Sequence, residues 1–341
     1  IFTGDTLFLG DVGRPDLVIK SNLTEKDLAG MLFKSLRTKI MTLEDSVIIY
    51  PAHGAGSACG KNLSKETVGT LGDQKKNNYA LRANMNKDEF VKEVLDGIGE
   101  PPQYFSENAK LNQSGYSELD KVLENGNNPL SVSEFESLAI DSNILVLDVR
   151  TQKDFIENHI PGALFIGLNG GFAPWVGALI SNIKQDILLV VPEGKSEEAI
   201  TRLARVGYDY TIGYLEGGMQ AWIAAGKTSE QLTSISSIEF QQRTKKEVLS
   251  VLDVRKQGEY NTMHLKLHGL IHLSLDQINH RLDEIDPQET YYIHCAGGYR
   301  SVIAASILKA NGFHNVIDIA GGFAAIRQTD LSLTDSTCSS I

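Results

Sequence analysis

Short, unbroken apolar runs recur along the chain and end at carboxylates, glycines or polar clusters. "ILVLDV" from Ile144, "DILLVV" from Asp186 and "TYYIHC" from Thr290 are the clearest. Runs of this length, rich in β-branched residues and leucine and lacking a period of two, predict strands buried on both faces. Helical patterns lie between them. "SVSEFESL" from Ser131 and "SSIEFQQR" from Ser236 each open on a Ser/Glu start signal, and "SVIAASILKAN" from Ser301 stops at Gly312. Strands alternating with helices predict an α/β fold with mostly parallel sheets covered on both faces.

The pattern is written twice. "NILVLDVRTQKDF" and "EVLSVLDVRKQGEY" set Asp148 and Arg150 against Asp253 and Arg255 at an offset of 105 positions. Ser131 against Ser236 and Gly207 against Gly312 keep that offset, while "LEGGMQAW" and "IAGGFAAI" (Gly217 and Gly321) slip by one. Two domains are expected, at residues 129–228 and 234–330, with "AAGKTSEQLTSIS" as a short polar linker and 331–341 as a polar tail holding Cys338. Before them, "TLFLGD" and "DSVIIYPAHG" read as strands, and "LTEKDLAGMLFKSLRTKI" and "NKDEFVKEVLDG" as amphipathic helices. In the second of these helices Asn86 and Glu89 suit a capping box, and Phe90, Val91, Val94 and Leu95 form an apolar stripe. Residues 1–107 are therefore taken as a different domain, and 108–128 as a linker region.

Composition narrows the partners. A net charge of −11 leaves no basic stripe for a phosphate backbone, so nucleic acid is not expected. No apolar run approaches the ~20 residues of a membrane span, so no membrane is expected either. Three widely spaced cysteines, Cys59, Cys295 and Cys338, are too few for a disulfide framework and point to a reducing cytoplasm. A homo-oligomer is expected.

Chemistry concentrates in "HCAGGYRS", His294 to Ser301. A predicted strand delivers Cys295 to its carboxyl end, and a helix follows directly, the junction at which open α/β sheets hold ligands. Gly297 and Gly298 let successive N–H groups curl inward into an anion-binding nest, and Arg300 adds a positive charge. A lone cysteine is more often a small buried hydrophobe. Two glycines, an arginine and a helix start within the next six positions argue for a thiolate nucleophile instead. His294 reads as a strand residue with a satisfied ring.

The loop, with Asp253 and Arg255 upstream, resembles a rhodanese sulfurtransferase domain. The resemblance implies that Cys295 takes up a sulfane sulfur as a persulfide and that Arg300 assists it. Ala296, Gly297, Gly298, Tyr299 and Ser301 would surround the bound sulfur. The Cys-x4-Arg spacing makes a ring suited to one sulfur atom, tighter than the Cys-x5-Arg loop of related phosphatases. Asp253 and Arg255 are expected to be a structural ion pair. The first copy resembles the same fold but has "VVPEGKSE" at the loop, without cysteine and with Glu193 among the cradle positions, so it is expected to be silent and to serve packing or orientation.

In the N-terminal part, "TGDTLFLGDVGRPD" presents Asp5, Asp11, Arg14 and Asp16, and "YPAHGAGSACG" places His53 after a strand. Carboxylate and imidazole together suit Zn or Fe(II). The two segments resemble the C-terminal part of an αββα metallo-β-lactamase fold, more narrowly that of persulfide dioxygenases fused to rhodanese domains. The resemblance implies Asp5 as an iron ligand and His53 as a further metal-site histidine, on the metal or beside its ligands. Asp11, Arg14 and Asp16 would shape the site mouth or, as turn residues, be structural. The superfamily's His-x-His-x-Asp-His motif is absent, and His53 is the only histidine before His159. Cys59 is either a second sulfur-handling thiol at the substrate site or incidental. Lys75 and Lys76 either fall where relatives hold an anionic thiol or form a solvated charged face.

The implied function is a bifunctional persulfide dioxygenase and sulfurtransferase in sulfide detoxification. It would use Fe(II) and O2 to oxidise a small-molecule thiol persulfide to sulfite and give thiosulfate. The alternative is a zinc-dependent hydrolase of the glyoxalase II type with accessory rhodanese domains.

Overall fold

The computed structural model describes residues 1–17, 23–54, 63–96 and 115–334, together with Phe105 and Leu111. It divides into two compact units, Ile1–Ser106 and Glu107–Ile341.

In the first unit β1 (Phe2–Gly4), β2 (Ile48–Pro51) and β3 (Gly69–Thr70) form a sheet in that order, β1 parallel and β3 antiparallel to β2. Helices α1 (Glu25–Ser35), α2 (Leu71–Asn77) and α3 (Lys87–Leu95) accompany it, α1 running on into a wider π-turn over Leu36–Ile40. The expected capping box forms at α3, Asn86 accepting from the Glu89 N–H while Glu89 accepts from the Asn86 N–H, both at 3.0 Å. Phe90 and Val94 of its stripe are buried, and Val91 and Leu95 are half-buried.

"TLFLGD" is not the strand its sequence suggests. The strand ends at Gly4, and the chain then turns back on itself, with a Leu7–Val12 bridge and the Phe8 N–H donating to Asp11 O at 3.0 Å. Gly10 at φ +85° makes the reversal, and the Asp11 carboxylate accepts from Val12 N–H and from the Tyr79 hydroxyl, each at 2.8 Å. Leu7, Phe8 and Leu9 are all buried, so the apolar run reflects a turn packed into the core rather than a pleated strand.

The second unit holds two five-stranded parallel sheets. The first has β4 (Pro129–Leu130), β8 (Thr211–Leu215), β7 (Asp186–Val190), β5 (Ile144–Asp148) and β6 (Leu164–Phe165) in that spatial order. The second has β9 (Thr233–Ile235), β13 (Val316–Ile319), β12 (Tyr291–His294), β10 (Ser250–Asp253) and β11 (Leu270–His272) in the equivalent order. The sequence repeat is thus a repeat of topology, and the α/β expectation holds.

Sheet register refines the repeat. Asp148 pairs with Val190, and Asp253 with His294. His294 therefore matches Val190, and Cys295 matches Val191, one position away from the match given by a constant offset. Gly194 (φ +70°) then corresponds to Gly298 (φ +97°), and Gly217 and Gly218 to Gly321 and Gly322. The slip seen at the glycine pair is therefore already present at the ends of β7 and β12, before the helices that follow the two loops. The first copy has α8 (Ser196–Ala204) there, following α4 (Leu119–Gly126), α5 (Val132–Ala139), α6 (Gln152–Glu157) and α7 (Phe172–Leu179). The first copy closes with α9 (Gly218–Ala224), and the second copy has the longer α12 (Tyr299–Ala310), after α10 (Ser237–Thr244) and α11 (Gln257–Thr262).

Two expected linkers are structured. Helix α4 lies within 108–128 and packs on β8 and α8 so closely that a Cβ on Gly126 would come 3.0 Å from Thr211 Cβ. In "AAGKTSEQLTSIS", Glu230 bridges to His159 through both backbone bonds, the Leu232 N–H donates to Ile156 O, and Thr233–Ile235 becomes edge strand β9. The polarity of that stretch reflects an edge position, not a free tether. The tail is likewise pinned at its start by a Leu265–Leu333 bridge; Cys338 lies outside the described residues.

Helix α12 begins at Tyr299, two residues before the expected start, and Ser301 to Leu308 are all buried. One side lies on its own strands β12 and β13, the other on β6 and α6 of the first copy. The Phe165 N–H donates to Ser306 Oγ at 3.0 Å across this contact, and Lys309 pairs with Glu230 at 2.8 Å. Among the described residues no helix is long and apolar enough to cross a membrane.

Candidate active site

Strand β12 ends at His294 and delivers Cys295 at the sheet's carboxyl edge, 1% exposed. Gly298, at a φ of +97° that L side chains rarely adopt, caps α12 and turns its N–H onto Cys295 Sγ at 3.1 Å. Ser301, in the first turn of the helix, lies on another side with Oγ 3.7 Å from Sγ. Gly297 is exposed, and a Cβ there would meet nothing within 4 Å, which marks the open side of the loop.

The loop is clamped from behind by the glycine pair Gly321 and Gly322. The Phe323 N–H donates to Cys295 O at 2.6 Å and the Ala324 N–H to Ala296 O at 3.0 Å, as α13 (Gly322–Ile326) starts. A Cβ on Gly322 would lie 2.4 Å from Cys295 O, so only glycine allows this approach. The repeated "GG" in both copies was the available signal.

Arg300 does not reach over the thiol. Its two terminal nitrogens fork onto Glu259 at 2.6 and 2.7 Å, tying the start of α12 to α11. Burial pulls its pKa down, but the Glu259 hydrogen bonds and charge outweigh this and raise it; the nearby Cys295 adds in the same sense. Burial likewise works to raise Glu259, and Arg300 overcomes it, holding the carboxyl below its usual range. Glu259 escaped the sequence reading because it lies in another helix, 41 positions away.

Beneath the loop Asp253 and Arg255 form the expected buried ion pair, Nη2 to Oδ2 at 2.5 Å and Nε to Oδ1 at 2.9 Å, with the guanidinium 3.8 Å from the Phe323 ring centre. Burial tends to raise the Asp253 carboxyl, but hydrogen bonds from Arg255 and the His294 and Arg255 charges hold it below the ordinary range. His294 is fully buried, and burial pushes its pKa down against the pull of Asp253. Its ring is less satisfied than expected. Nδ1 is 3.4 Å from Cys295 O, and Nε2 has no hydrogen-bond partner, 3.8 Å from Asp253.

Tyr299, expected at the bound sulfur, turns into the first copy. Its hydroxyl donates to Gly167 O at 2.7 Å, its ring meets Phe165 edge-on, and burial pushes its pKa up. A Cβ on Gly170 would come 2.1 Å from the Tyr299 ring. Gly170→Ala is therefore expected to cost about 1–3 kcal/mol by overpacking and to displace the loop. A thermal-unfolding cycle with Tyr299→Ala checks this, since Gly170→Ala should be nearly silent once the ring is gone.

The loop in the first copy has the shape without the chemistry. Val191 occupies the cysteine position, Pro192 has no N–H to offer, and Glu193 is exposed beside Gly194.

In the first unit, Asp5 and His53 do meet, Oδ1 to Nε2 at 3.2 Å, and His53 Nδ1 is buried without a hydrogen-bond partner. Asp11 is buried in the turn already described, and Arg14 is paired with Asp16, both nearly buried. Lys75 is held by Asp45 at 2.7 Å. Cys59 lies outside the described residues. One carboxylate and one imidazole are suitable donors for Fe(II) or Zn, but a catalytic centre takes three protein ligands, and the described residues contain no group of three. They do not by themselves fit a metal ion.

Comparison with known proteins agrees with this division. The Rhodanese-like domain model matches residues 131–225 and 236–329, more than half of the chain. YrkF of Bacillus subtilis (strain 168) is 34% identical over 99 residues, 28% of this chain and 52% of YrkF. Thiosulfate sulfurtransferase GlpE of Coxiella burnetii (strain RSA 331 / Henzerling II) is 29% identical over 89 residues, 26% of this chain and 81% of GlpE. A crystal structure of a metallo-beta-lactamase from Staphylococcus aureus subsp. aureus COL is 32% identical with a TM-score of 0.53, covering 62% of this chain and 58% of that one. The chain thus spans only about half the length of YrkF and of the staphylococcal structure. With two matched copies on one strand order, and a cysteine loop in the second, the chain belongs to the family of proteins with rhodanese-like domains.

Proposed function

We propose that the chain is a sulfurtransferase whose sulfur carrier is Cys295. The observation that carries this reading is the Gly298 N–H aimed at Sγ at 3.1 Å, a donor placed where negative charge sits on a thiolate. The thiolate attacks the outer sulfur of thiosulfate or of a thiol persulfide. A new Sγ–S bond forms, the old S–S bond breaks, and sulfite or the donor thiolate leaves with the bonding pair. An acceptor thiolate, sulfite or cyanide then attacks the carried sulfur, and Cys295 departs as thiolate. Incubation with thiosulfate should add the mass of one sulfur atom to the Cys295 peptide, and cyanide should remove it with turnover. Loading without turnover would instead favour a storage role.

The finer part of the proposal is that this transfer works beside a persulfide dioxygenase in sulfide oxidation. Support comes from the likeness to the staphylococcal metallo-beta-lactamase and from the meeting of Asp5 with His53. Asp5 and His53 alone do not make an iron site, and any further ligands would lie outside the described residues. The expected outcome is iron binding and O2 uptake with glutathione persulfide by the purified protein. Absence of both would restrict the function to sulfur transfer.

A further inference from the structure

Arg300 brings a positive charge to the cysteine loop, and a carboxylate cancels it. The arginine stands in the first turn of α12, in sequence between Gly298, whose N–H meets Sγ, and Ser301, whose Oγ lies 3.7 Å from Sγ. Both of its terminal nitrogens are committed to Glu259, whose side chain is 36% exposed against 16% for Arg300. Starting the helix does not require this pairing. By the register of the two sheets, Asp154 and Ser196 of the first copy stand where Glu259 and Arg300 stand in the second, and Asp154 caps α6 through Thr151 with no arginine to hold.

The other charges about the loop are matched as well. Arg255 is forked by Asp253 beneath it, and Arg202 of the first copy, which acts on Tyr299, pairs with Glu198 at 3.4 Å. His294 is uncharged at neutral pH, since burial lowers its pKa, and Asp318, buried on the neighbouring strand β13, can only add negative charge. The fixed charges around the loop thus leave no positive excess, in a chain of net charge −11.

We propose that Glu259 sets donor specificity: by cancelling Arg300 it disfavours the dianion thiosulfate and leaves a thiol persulfide of lower charge as the preferred donor. This rests on the transfer reading above and sharpens it. In either loading step a new Sγ–S bond forms and the donor's S–S bond breaks, with sulfite or the donor thiolate leaving with the bonding pair. What differs is the charge brought up to the thiolate, two negative units for thiosulfate against one at most for the persulfide of an uncharged thiol. Repulsion grows with the product of the charges, and at a partly buried site it is screened less than in open water.

Sulfur loading of the whole chain is timed by quenching and weighing the Cys295 peptide, with thiosulfate or 2-mercaptoethanol persulfide as donor. Glu259→Gln keeps an acceptor for the Lys256 N–H, which Glu259 accepts at 3.0 Å, and releases the Arg300 charge. It should speed loading from thiosulfate about tenfold, the lower end of charge steering, and from the persulfide by less. Added salt should speed thiosulfate loading in the unmodified chain by screening the repulsion, and should do so less in Glu259→Gln. Glu124→Gln, the same charge change at an exposed position on α4, should leave the ratio of the two donors unaltered. Arg300→Gln, which leaves the carboxylate uncancelled, should shift the ratio further toward the persulfide and covers the case in which Glu259→Gln does not fold. An unchanged donor ratio in Glu259→Gln, or an equal shift in Glu124→Gln, overturns the proposal. Absence of loading from both donors would overturn the transfer reading on which it rests.

Discussion

Cys295→Ser is expected to lower thiosulfate:cyanide sulfur transfer by a factor on the order of 1,000 or more while leaving the fold in place. A hydroxyl fits the space of the thiol and can still accept the Gly298 N–H, so unfolding free energy should change by less than about 1.5 kcal/mol. Activity and thermal unfolding measured on the same preparation separate the two effects. Retained turnover would mean that sulfur travels by another residue. The first copy offers no substitute, because Val191 stands where Cys295 stands in the second.

Asp253→Ala is expected to have the largest effect on stability, about 3–5 kcal/mol, because it leaves the Arg255 charge buried without its counterion. Arg255 is 3% exposed and would keep only the Met263 carbonyl, at 2.9 Å, and the Phe323 ring. The pair also sets a pH response. The Asp253 carboxyl is held below its unfolded value, so its contribution is fully present above about pH 4 and is lost as the pH falls through the depressed folded value. Calorimetry from pH 7 down to about pH 3 should show the second copy weakening in acid. Asp253→Ala should reduce that dependence, leaving the part carried by the Glu259 carboxyl.

Much of this architecture is readable from residue order. Strands buried on both faces announce themselves as unbroken apolar runs, and the two Asp-x-Arg segments expose the repeat before any fold is known. The cysteine loop is legible for a related reason, since Gly298 sits where the backbone needs a positive φ. The failures have physical causes. "TLFLGD" carries a strand's composition, but Gly10 and the Asp11 carboxylate turn it into a packed reversal. Residues 224–236 look like a tether because an edge strand needs little apolar character. From sequence Arg300 points toward the thiol because nothing local reveals Glu259. Tyr299 points toward the sulfur because its neighbour in space, Gly170, belongs to the other copy. Each of these depends on contacts distant in sequence, which periodicity does not encode.

Helix α12 is enclosed on one side by its own sheet and on the other by the first copy. Shifting it would disrupt two close-packed interiors at once, so the sulfur-bearing loop lacks the reach of a swinging carrier arm. On the transfer proposed above, donor and acceptor would both have to come to a stationary thiol, and the open side marked by Gly297 would be their approach. Such a site would suit slender visitors, small thiols and inorganic sulfur anions, better than broad protein faces.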